Sequence, residues 1–317
     1  MKRFITKKLN VNYQLKINKE EPEGSSSLSL GRRGENMKTY LEILKEKEIY
    51  ALNHQKEPTA MKLLMLHVSE KSNEQLLMGL SDEMPENQAE LFSQLAKKYV
   101  EDGYPVQHLI GFEYFFGYPF IVNEHVLIPR YETEELAQHI LLYYDEFFDG
   151  KKIDAVDIGT GSGCLAIAIS LEENNINMVA TDISEEALLV AEKNNEQLKS
   201  QVTFLKGDML EPVLDYAFDL LISNPPYIPN EEYVEALVKD HEPHVALFGG
   251  LDGLDFYRKI LKDADKVMKP TFMMAFEHAF DKAKELKGLI LEYFPNATVV
   301  QKKDMQGKDR MTFVFQT

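Results

Sequence analysis

The sequence predicts an α/β protein in which a doubly wound, mainly parallel sheet follows a small helical domain. Three observations support this order. Apolar residues recur with the 3.6-residue period of helices between Thr39 and Asp102. Aromatic and β-branched residues, interrupted by turn formers, fill the segment from Leu109 to Arg130, which is typical of a β-hairpin. From Lys151 onward strands and helices alternate, which favours parallel strands joined by crossover helices.

We expect the helical domain at residues 37–106 and the hairpin linker at residues 107–130. Apolar stripes lie near residues 40–52 and 61–68, and Glu86–Tyr99 forms a third helical segment. Pro85 stands where the first turn of that helix tolerates a proline. Stripes of this kind indicate the core of a helix bundle rather than a cofactor site.

The remaining segment, residues 131–317, alternates predicted strands with predicted helices. The strands are Ile153–Ile158, Met178–Asp182, Val202–Leu205, Phe218–Ser223, Phe272–Glu277, Thr298–Gln301 and Met311–Phe315. The helices are Gly163–Leu171, Glu185–Gln197, Leu254–Met268 and Lys282–Tyr293.

Composition and charge exclude several classes of protein. The chain carries 35 Lys+Arg against 52 Asp+Glu, a formal net charge of −17, which disfavours binding to nucleic acid backbones. No apolar run approaches the roughly 18 residues of a membrane span, and no signal-peptide pattern opens the chain. The single cysteine, Cys164, excludes a disulfide framework and a multi-cysteine zinc site. We therefore expect a cytoplasmic protein.

The first 36 residues differ from the rest. They hold eight Lys/Arg and four Asp/Glu, a net charge of +4, which leaves −21 for residues 37–317. Residues 20–36 are rich in Gly, Ser and charge. We interpret residues 1–36 as an extension that is disordered or foreign to the natural protein.

A glycine-rich turn follows the first predicted strand and opens a helix. It reads Gly159-Thr160-Gly161-Ser162-Gly163, and glycines there allow a sharp turn and a close approach to a ligand at the helix N-terminus. The next strand ends at Asp182, where an acidic residue can bind ribose hydroxyls. The spacing, with Asp157 just before the turn, favours S-adenosylmethionine over a dinucleotide. A purely structural strand–turn–helix corner is the alternative.

Two further turns follow strands at the same edge of the predicted sheet. In Gly207-Asp208-Met209 the carboxylate could accept a hydrogen bond from an adenine amino group, and Met209 could pack on the ring. An ordinary loop is the alternative there.

The motif Asn224-Pro225-Pro226-Tyr227 ends the fourth predicted strand and is the most specific of the three turns. Proline lacks an N–H, so this rigid turn leaves its carbonyls free. A planar NH2 group could donate to the Asn224 side-chain oxygen and to the Pro225 carbonyl while Tyr227 stacks on it. These acceptors suit an amide or the exocyclic amine of a base.

With these motifs in place, residues 37–317 resemble the N5-glutamine methyltransferases of peptide chain release factors. Further matching motifs are Pro105–Gly111, Leu127–Arg130 with Glu132-Thr133-Glu134, Glu242-Pro243 and Gly307–Arg310. The resemblance implies a Rossmann-like, seven-stranded class I methyltransferase domain over residues 131–317, preceded by a helical substrate-docking domain and the hairpin linker.

The resemblance also implies the ligands and the residues that bind them. The methyl donor would be S-adenosyl-L-methionine, leaving S-adenosyl-L-homocysteine, and the acceptor would be the glutamine of the Gly-Gly-Gln motif in class I release factors. Cofactor contacts would come from Gly159, Thr160, Gly161, Ser162, Gly163, Asp182, Met209 and Asn224. Substrate contacts would come from Asn224, Pro225, Pro226 and Tyr227.

We assign Asn224 the catalytic role of positioning and polarising the acceptor nitrogen, and we assign no general base and no metal. Structural roles are expected for the other candidates: His108 in a hairpin turn, Arg130 in an ion pair with Glu134, and Glu277 at a strand end. Cys164 is expected to pack as a small apolar residue.

Two other functions compete with this interpretation. A nucleic-acid methyltransferase acting on adenine N6 or guanine N2 would use the same acceptors, but the acidic charge disfavours it. A non-catalytic interaction protein with a retained cofactor fold is the second alternative. We expect a monomer that does not bind nucleic acid directly.

Overall fold

The computed structural model describes residues 37–230, 242–243 and 246–317. The predicted extension, residues 1–36, lies outside the described residues. Among the helices of the described ranges, none combines the length and the hydropathy that a membrane span requires.

Five helices form the N-terminal part of the described chain. They are α1 (Tyr40–Asn53), α2 (Thr59–Ser69), α3 (Asn73–Met78), α4 (Glu86–Val100) and α5 (Val106–Ile110). Helix α1 begins at a capping box, in which Thr39 N–H donates to the Glu42 carboxylate at 2.8 Å and the Thr39 hydroxyl accepts from the Glu42 N–H. The apolar faces of the helices enclose a core of their own around Met61 and Phe92. The predicted helix at residues 86–99 is confirmed to within one residue.

A β-hairpin follows the helices. Strand β1 (Phe112–Phe115) pairs antiparallel with β2 (Tyr118–Ile121). Phe116 and Gly117 between them both have left-handed φ angles, 56° and 83°, as a two-residue turn between twisted strands requires. The hairpin is confirmed, although its strands are shorter than the predicted linker: α5 precedes them, and residues 122–130 contain no strand.

The rest of the described chain alternates helices and strands. The helices are α6 (Tyr131–Phe148), α7 (Cys164–Glu172), α8 (Glu185–Leu198), α9 (Asp255–Val267) and α10 (Ala283–Tyr293). The strands are β3 (Ile153–Ile158), β4 (Ile176–Asp182), β5 (Thr203–Lys206), β6 (Phe218–Ser223), β7 (Met268–Glu277), β8 (Thr298–Lys303) and β9 (Asp309–Gln316).

These seven strands form one sheet in the order β5-β4-β3-β6-β7-β9-β8. Strands β3 to β7 run parallel, and β9 runs antiparallel to both β7 and β8. Ile158 at the end of β3 pairs with Thr181 of β4 and with Ser223 of β6, so the carboxyl ends of the central strands lie level. The predicted seven-stranded, mainly parallel sheet is confirmed.

Two apolar layers cover the sheet. Residues of α6 and α7 pack on one face, with Leu136 and Ile167 fully buried. Residues of α9 and α10 pack on the other, with Ile260 and Ile290 fully buried. The central strands are buried on both faces, as parallel strands with helices on both sides require.

Helix α8 contacts the edge of β2 that does not pair with β1. The buried Asn194 side chain accepts from the Ile121 N–H at 2.7 Å and donates to the Ile121 carbonyl at 3.1 Å. The same amide donates to the Ser162 carbonyl at 2.9 Å, and Gln197 donates to the Pro119 carbonyl at 3.1 Å. The hairpin is thus attached to both α8 and the glycine-rich turn.

Two elements differ from the predicted pattern. Helix α6 is not among the predicted helices, although its buried residues Leu136, Ile140 and Tyr144 recur at helical spacing. Strand β7 begins at Met268 rather than at Phe272. Its Lys269 forms ion pairs with Asp219 of the neighbouring β6 at 2.6 Å and with Asp154 of β3, one strand further away, at 2.9 Å, which accommodates a charged residue there.

Candidate functional site

The carboxyl ends of the parallel strands border a cavity of about 320 Å³. This is the edge where ligands bind in open α/β sheets. The cavity is lined by seven of the predicted cofactor residues, namely Gly159, Thr160, Gly161, Ser162, Asp182, Met209 and Asn224. The eighth, Gly163, does not line the cavity and is the N-cap residue of α7.

Backbone conformation explains the three glycines of the turn. Gly159, Gly161 and Gly163 have φ angles of 72°, 57° and 79°, a region that other residues enter only with strain. A Cβ on Gly163 would also lie 2.9 Å from Ile167 Cδ1 and 3.2 Å from the Ala191 Cβ, so this glycine lets α7 and α8 pack closely. A Cβ on Gly159 or Gly161 would meet nothing within 4 Å.

Asp182 organises the cavity wall. One carboxylate oxygen accepts from the Gly161 N–H at 2.8 Å, and the other accepts from the Ser184 N–H at 2.9 Å. Burial raises the pKa of Asp182, although the backbone N–H donors oppose the shift. Asp182 therefore joins the glycine-rich turn to the start of α8 and retains acceptor lone pairs beside the cavity.

Asp157 also lines the cavity, although it is not among the predicted cofactor contacts. Its carboxylate accepts from the Thr160 hydroxyl at 2.7 Å and is 1% exposed. Burial raises the pKa of Asp157 to about 7, and the nearby charge of Asp182 adds to the shift. The available signal was its position at the end of β3, directly before the turn.

The adenine-side residues predicted from Gly207-Asp208-Met209 also lie at the cavity. Met209 has a φ of 49°, and its carbonyl accepts from the Thr181 hydroxyl at 3.0 Å. The Asp208 carboxylate forms an ion pair with Lys259 at 3.1 Å. Lys259 and Phe256, both on α9, line the same cavity, and no sequence signal identified them.

A second cavity of about 130 Å³ lies beside the first. Its lining includes Asn224, Pro225, Pro226 and Tyr227, all four predicted substrate residues, together with Glu277. Asn224 and Pro226 line both cavities. A group bound in the smaller cavity would therefore meet a ligand of the larger one beside Asn224.

A chain of hydrogen bonds extends from Asn224 to the end of β7. Asn224 Nδ2 donates to Thr133 Oγ1 at 3.1 Å, and the Thr133 hydroxyl donates to Glu277 Oε2 at 2.8 Å. The Tyr227 hydroxyl donates to Glu277 Oε1 at 3.3 Å. Burial raises the pKa of Glu277 to about 7, and burial followed by the Glu277 charge raises the pKa of Tyr227.

The segment after residue 246 supports the proline turn from outside. The Ile228 N–H donates to the Leu247 carbonyl at 3.0 Å, and the Gly249 N–H donates back to the Ile228 carbonyl at 2.8 Å. A Cβ on Gly249 would lie 2.5 Å from the Pro226 carbonyl oxygen. Backbone approaches the turn this closely only because residue 249 has no side chain.

Two structural expectations are wrong in detail. Arg130 pairs with the buried Glu242 at 2.6 Å rather than with Glu134. Glu134 instead accepts from the Phe116 N–H at 2.6 Å, because the first turn of α6 lies against the hairpin turn. His108 lies in α5, not in a hairpin turn, because the helical segment continues past the predicted linker boundary.

The remaining expectations concern Glu277, Cys164 and metals. Glu277 ends β7 as predicted. Burial raises the pKa of Cys164 to about 12, so its thiol stays protonated at neutral pH. In the described ranges, no group of three or more His, Cys, Asp or Glu side chains could hold a metal ion.

Comparison with known proteins identifies both parts of the chain. Residues 44–111 match the PrmC N-terminal domain, and residues 137–247 match the methyltransferase small domain. Release factor glutamine methyltransferase of Bacillus cereus is 39% identical over 281 residues, covering 87% of this chain and 99% of the relative. The Bacillus subtilis protein of the same name is 41% identical over 283 residues, covering 86% and 96%.

Solved structures support the fold. The hMettl16 catalytic domain, solved with the MAT2A 3'UTR hairpin 6, superposes with a TM-score of 0.50 at 17% identity, covering 73% of this chain and 82% of that chain. At this identity the likeness shows the fold alone.

Proposed function

Since this chain belongs to the release factor glutamine methyltransferase family, we propose that it methylates the side-chain amide nitrogen, N5, of the Gly-Gly-Gln glutamine in class I peptide chain release factors. S-adenosyl-L-methionine is the methyl donor of this enzyme class. The observation that carries the proposal is the position of Asn224, which lines both cavities at the end of β6.

The larger cavity has the chemistry that the methyl donor needs. The Asp182 carboxylate can accept hydrogen bonds from the ribose hydroxyls, and Met209 and Phe256 offer apolar surface to the adenine. The glycine-rich turn leaves room for backbone contact at the N-terminus of α7. S-adenosyl-L-methionine supplies a methyl group on a positively charged sulfur, the electrophile of the reaction.

The smaller cavity would receive the substrate glutamine. Its NH2 group would donate one hydrogen to Asn224 Oδ1 and the other to the Pro225 carbonyl, with Tyr227 against the amide plane. Both acceptors draw the hydrogens away from nitrogen and so increase the electron density there. Holding the nitrogen in line with the methyl carbon and excluding water would lower the barrier further.

In the transfer, the nitrogen lone pair of the acceptor would form the new N–C bond, and the sulfur of the methyl donor would keep the electron pair of the broken carbon–sulfur bond. The methylated amide is then cationic and strongly acidic, so it loses its proton to water. For this reason we assign no side chain the role of general base, and Asn224 acts by positioning and polarising.

The helical domain would dock the release factor. It has a separate core, and its α3 presents two neighbouring apolar side chains, Leu77 and Met78, that are 59% and 82% exposed. Exposed apolar side chains of this size are common anchors of protein interfaces. We propose that the enzyme acts as a monomer, with this domain as its substrate-binding surface.

The test is transfer of labelled methyl groups from S-adenosyl-L-methionine to a purified class I release factor. The control is the same release factor with its Gly-Gly-Gln glutamine replaced. Label on the first and none on the second would establish the donor, the acceptor and the site. Label on neither protein would overturn the proposed substrate, and total RNA would then test an exocyclic amine as the acceptor.

Replacing Asn224 by alanine tests its role directly. We expect Asn224→Ala to lower kcat by about a hundredfold or more, because the methyl donor and the substrate glutamine both lose their contact with the Asn224 side chain. Asn230→Ala, an exposed asparagine in the same segment, is the matched control and should keep wild-type kcat. Equal kcat for the two variants, with equal melting temperatures, would contradict the assignment.

A further inference from the structure

The side-chain amide of Asn224 has two different ends, and only its oxygen can accept hydrogen bonds from a substrate NH2 group. The two ends are nearly equal in size, so neighbouring hydrogen bonds rather than shape decide which end faces the smaller cavity. The partners of Asn224 therefore decide whether that cavity presents an acceptor or a donor.

Thr133 is the partner that determines which end of the Asn224 amide faces the smaller cavity. Its hydroxyl lies 3.1 Å from Asn224 Nδ2 and 2.8 Å from Glu277 Oε2. A hydroxyl carries one hydrogen, and an ionised carboxylate can only accept, so with Glu277 ionised Thr133 donates to Glu277 and accepts from Asn224. The nitrogen of Asn224 is thereby directed to Thr133, which leaves Oδ1 as the free end.

Glu277 is itself held firmly. It is 1% exposed, and its second carboxylate oxygen accepts from the Tyr227 hydroxyl. Its backbone carbonyl accepts from the buried Tyr257 hydroxyl at 2.6 Å. Because side chain and backbone are both fixed, the acceptor that orients Thr133 cannot turn away.

We infer that Thr133 and Glu277 are positioning residues, which hold the Asn224 amide with its oxygen toward the smaller cavity. The inference rests on the proposed function, because an acceptor at that place is needed only for an NH2 substrate. The three side chains come from α6, from the end of β6 and from the end of β7, and Thr133 lies 91 residues before Asn224.

If Thr133 acted only through packing, its methyl group would matter and its hydroxyl would not. A matched pair of variants distinguishes this packing role from the positioning role. Thr133→Val keeps the shape and removes the hydroxyl, whereas Thr133→Ser keeps the hydroxyl and removes the methyl group. We expect Thr133→Val to lower kcat by about tenfold or more, because the Asn224 amide can then turn its nitrogen toward the smaller cavity. Thr133→Ser should keep kcat within about threefold of wild type.

A second pair covers the case in which Thr133→Val does not fold. Glu277→Gln and Glu277→Met both remove the buried charge and have similar length, but only glutamine retains an acceptor for Thr133. We expect the methionine variant to have a kcat about tenfold below that of the glutamine variant, at similar melting temperatures.

The wild-type enzyme separates the two hypotheses. Transfer by the wild type, with Val below Ser and Met below Gln, is the expected result. Transfer by the wild type with equal kcat within each folded pair would overturn the positioning role and leave the proposed function intact. No transfer by the wild type would overturn the proposed function and this inference with it.

Discussion

Asp157 and Glu277 are two buried carboxyl groups that lose most of their contact with water in the fold. Asp157 and Glu277 are each 1% exposed, and burial raises the pKa of each to about 7. Each lies beside a turn that contacts a proposed ligand, and each orients a hydroxyl of that region. When ionised, each carboxylate forms a stronger hydrogen bond with its hydroxyl partner than a neutral group would, which offsets part of the cost of desolvation.

The raised pKa of Glu277 predicts how the stability of the fold depends on pH. The pKa of glutamate is 4.5 in the unfolded chain, and the pKa of Glu277 is about 7 in the fold. Between these two pH values the folded state therefore binds more protons than the unfolded state. This group therefore lowers the free energy of unfolding as pH rises through that window. Groups that face it are Thr133, Tyr227, Arg310 and Glu132.

Glu277→Gln removes this dependence. Denaturant unfolding at about pH 5 and about pH 8 should show the wild type losing about 2 kcal/mol more than the variant over that range. Parallel losses in the two proteins would show that Glu277 keeps an ordinary pKa in the fold.

Which of these residues could be predicted depends on whether their signal is local. Asp182 and Asn224 each follow a strand within a recognisable turn, so the sequence places them at the cavity. Thr133 reaches Asn224 from a helix 91 residues earlier, and no local pattern indicates that contact. Phe256 and Lys259 reach the cavity wall in the same non-local way.

At the scale of elements, the glycine-rich turn combines two separate constraints. Gly161 and Gly163 both have left-handed φ angles, but only Gly163 faces a packed neighbour on α8. Backbone strain and steric overlap can therefore be measured separately within one turn.

We expect Gly161→Ala to lower the free energy of unfolding by about 1 kcal/mol, through backbone strain alone. Gly163→Ala should lower it by about 3 kcal/mol, because its Cβ also meets Ile167 and Ala191. Denaturant unfolding of both variants measures the difference. Equal losses would mean that α7 and α8 move apart without cost.

All seven strands of the large sheet are predicted from the sequence, whereas helix α6 is not. β3 and β6 are short, largely apolar segments that end at turn residues, and their predicted ends agree with the structure. Helix α6 was missed although its buried Leu136, Ile140 and Tyr144 recur at helical spacing. Its tertiary position on the sheet, which the local sequence does not express, stabilises it.

At the scale of the whole molecule, the chain joins a helical unit with its own core to a sheet that carries both cavities. The order of these units along the sequence was predictable from changes in hydrophobic period. The strand order was not, because crossover connections are non-local and the insertion of β9 between β7 and β8 leaves no mark in the periodicity.

If the helical domain binds the release factor and the sheet domain carries out the transfer, mutations in the helical domain should change KM for the release factor and not kcat. Leu77→Glu combined with Met78→Glu should raise the KM for the release factor by roughly tenfold, with kcat and the affinity for S-adenosyl-L-methionine little changed. Leu189→Glu, at a 52% exposed leucine of α8, is the matched control. An unchanged KM in the double variant would remove α3 from the docking surface.

The contact between α8 and the hairpin has a consequence for association with other chains. The Asn194 side chain accepts from the Ile121 N–H and donates to the Ile121 carbonyl, and the Gln197 side chain donates to the Pro119 carbonyl. These two amide side chains therefore make the hydrogen bonds that a neighbouring strand would make along β2. An open strand edge normally invites edge-to-edge aggregation or β-augmentation by a passing peptide. This side of the hairpin is already satisfied, so a partner that approaches it must be recognised by its side chains rather than by strand addition.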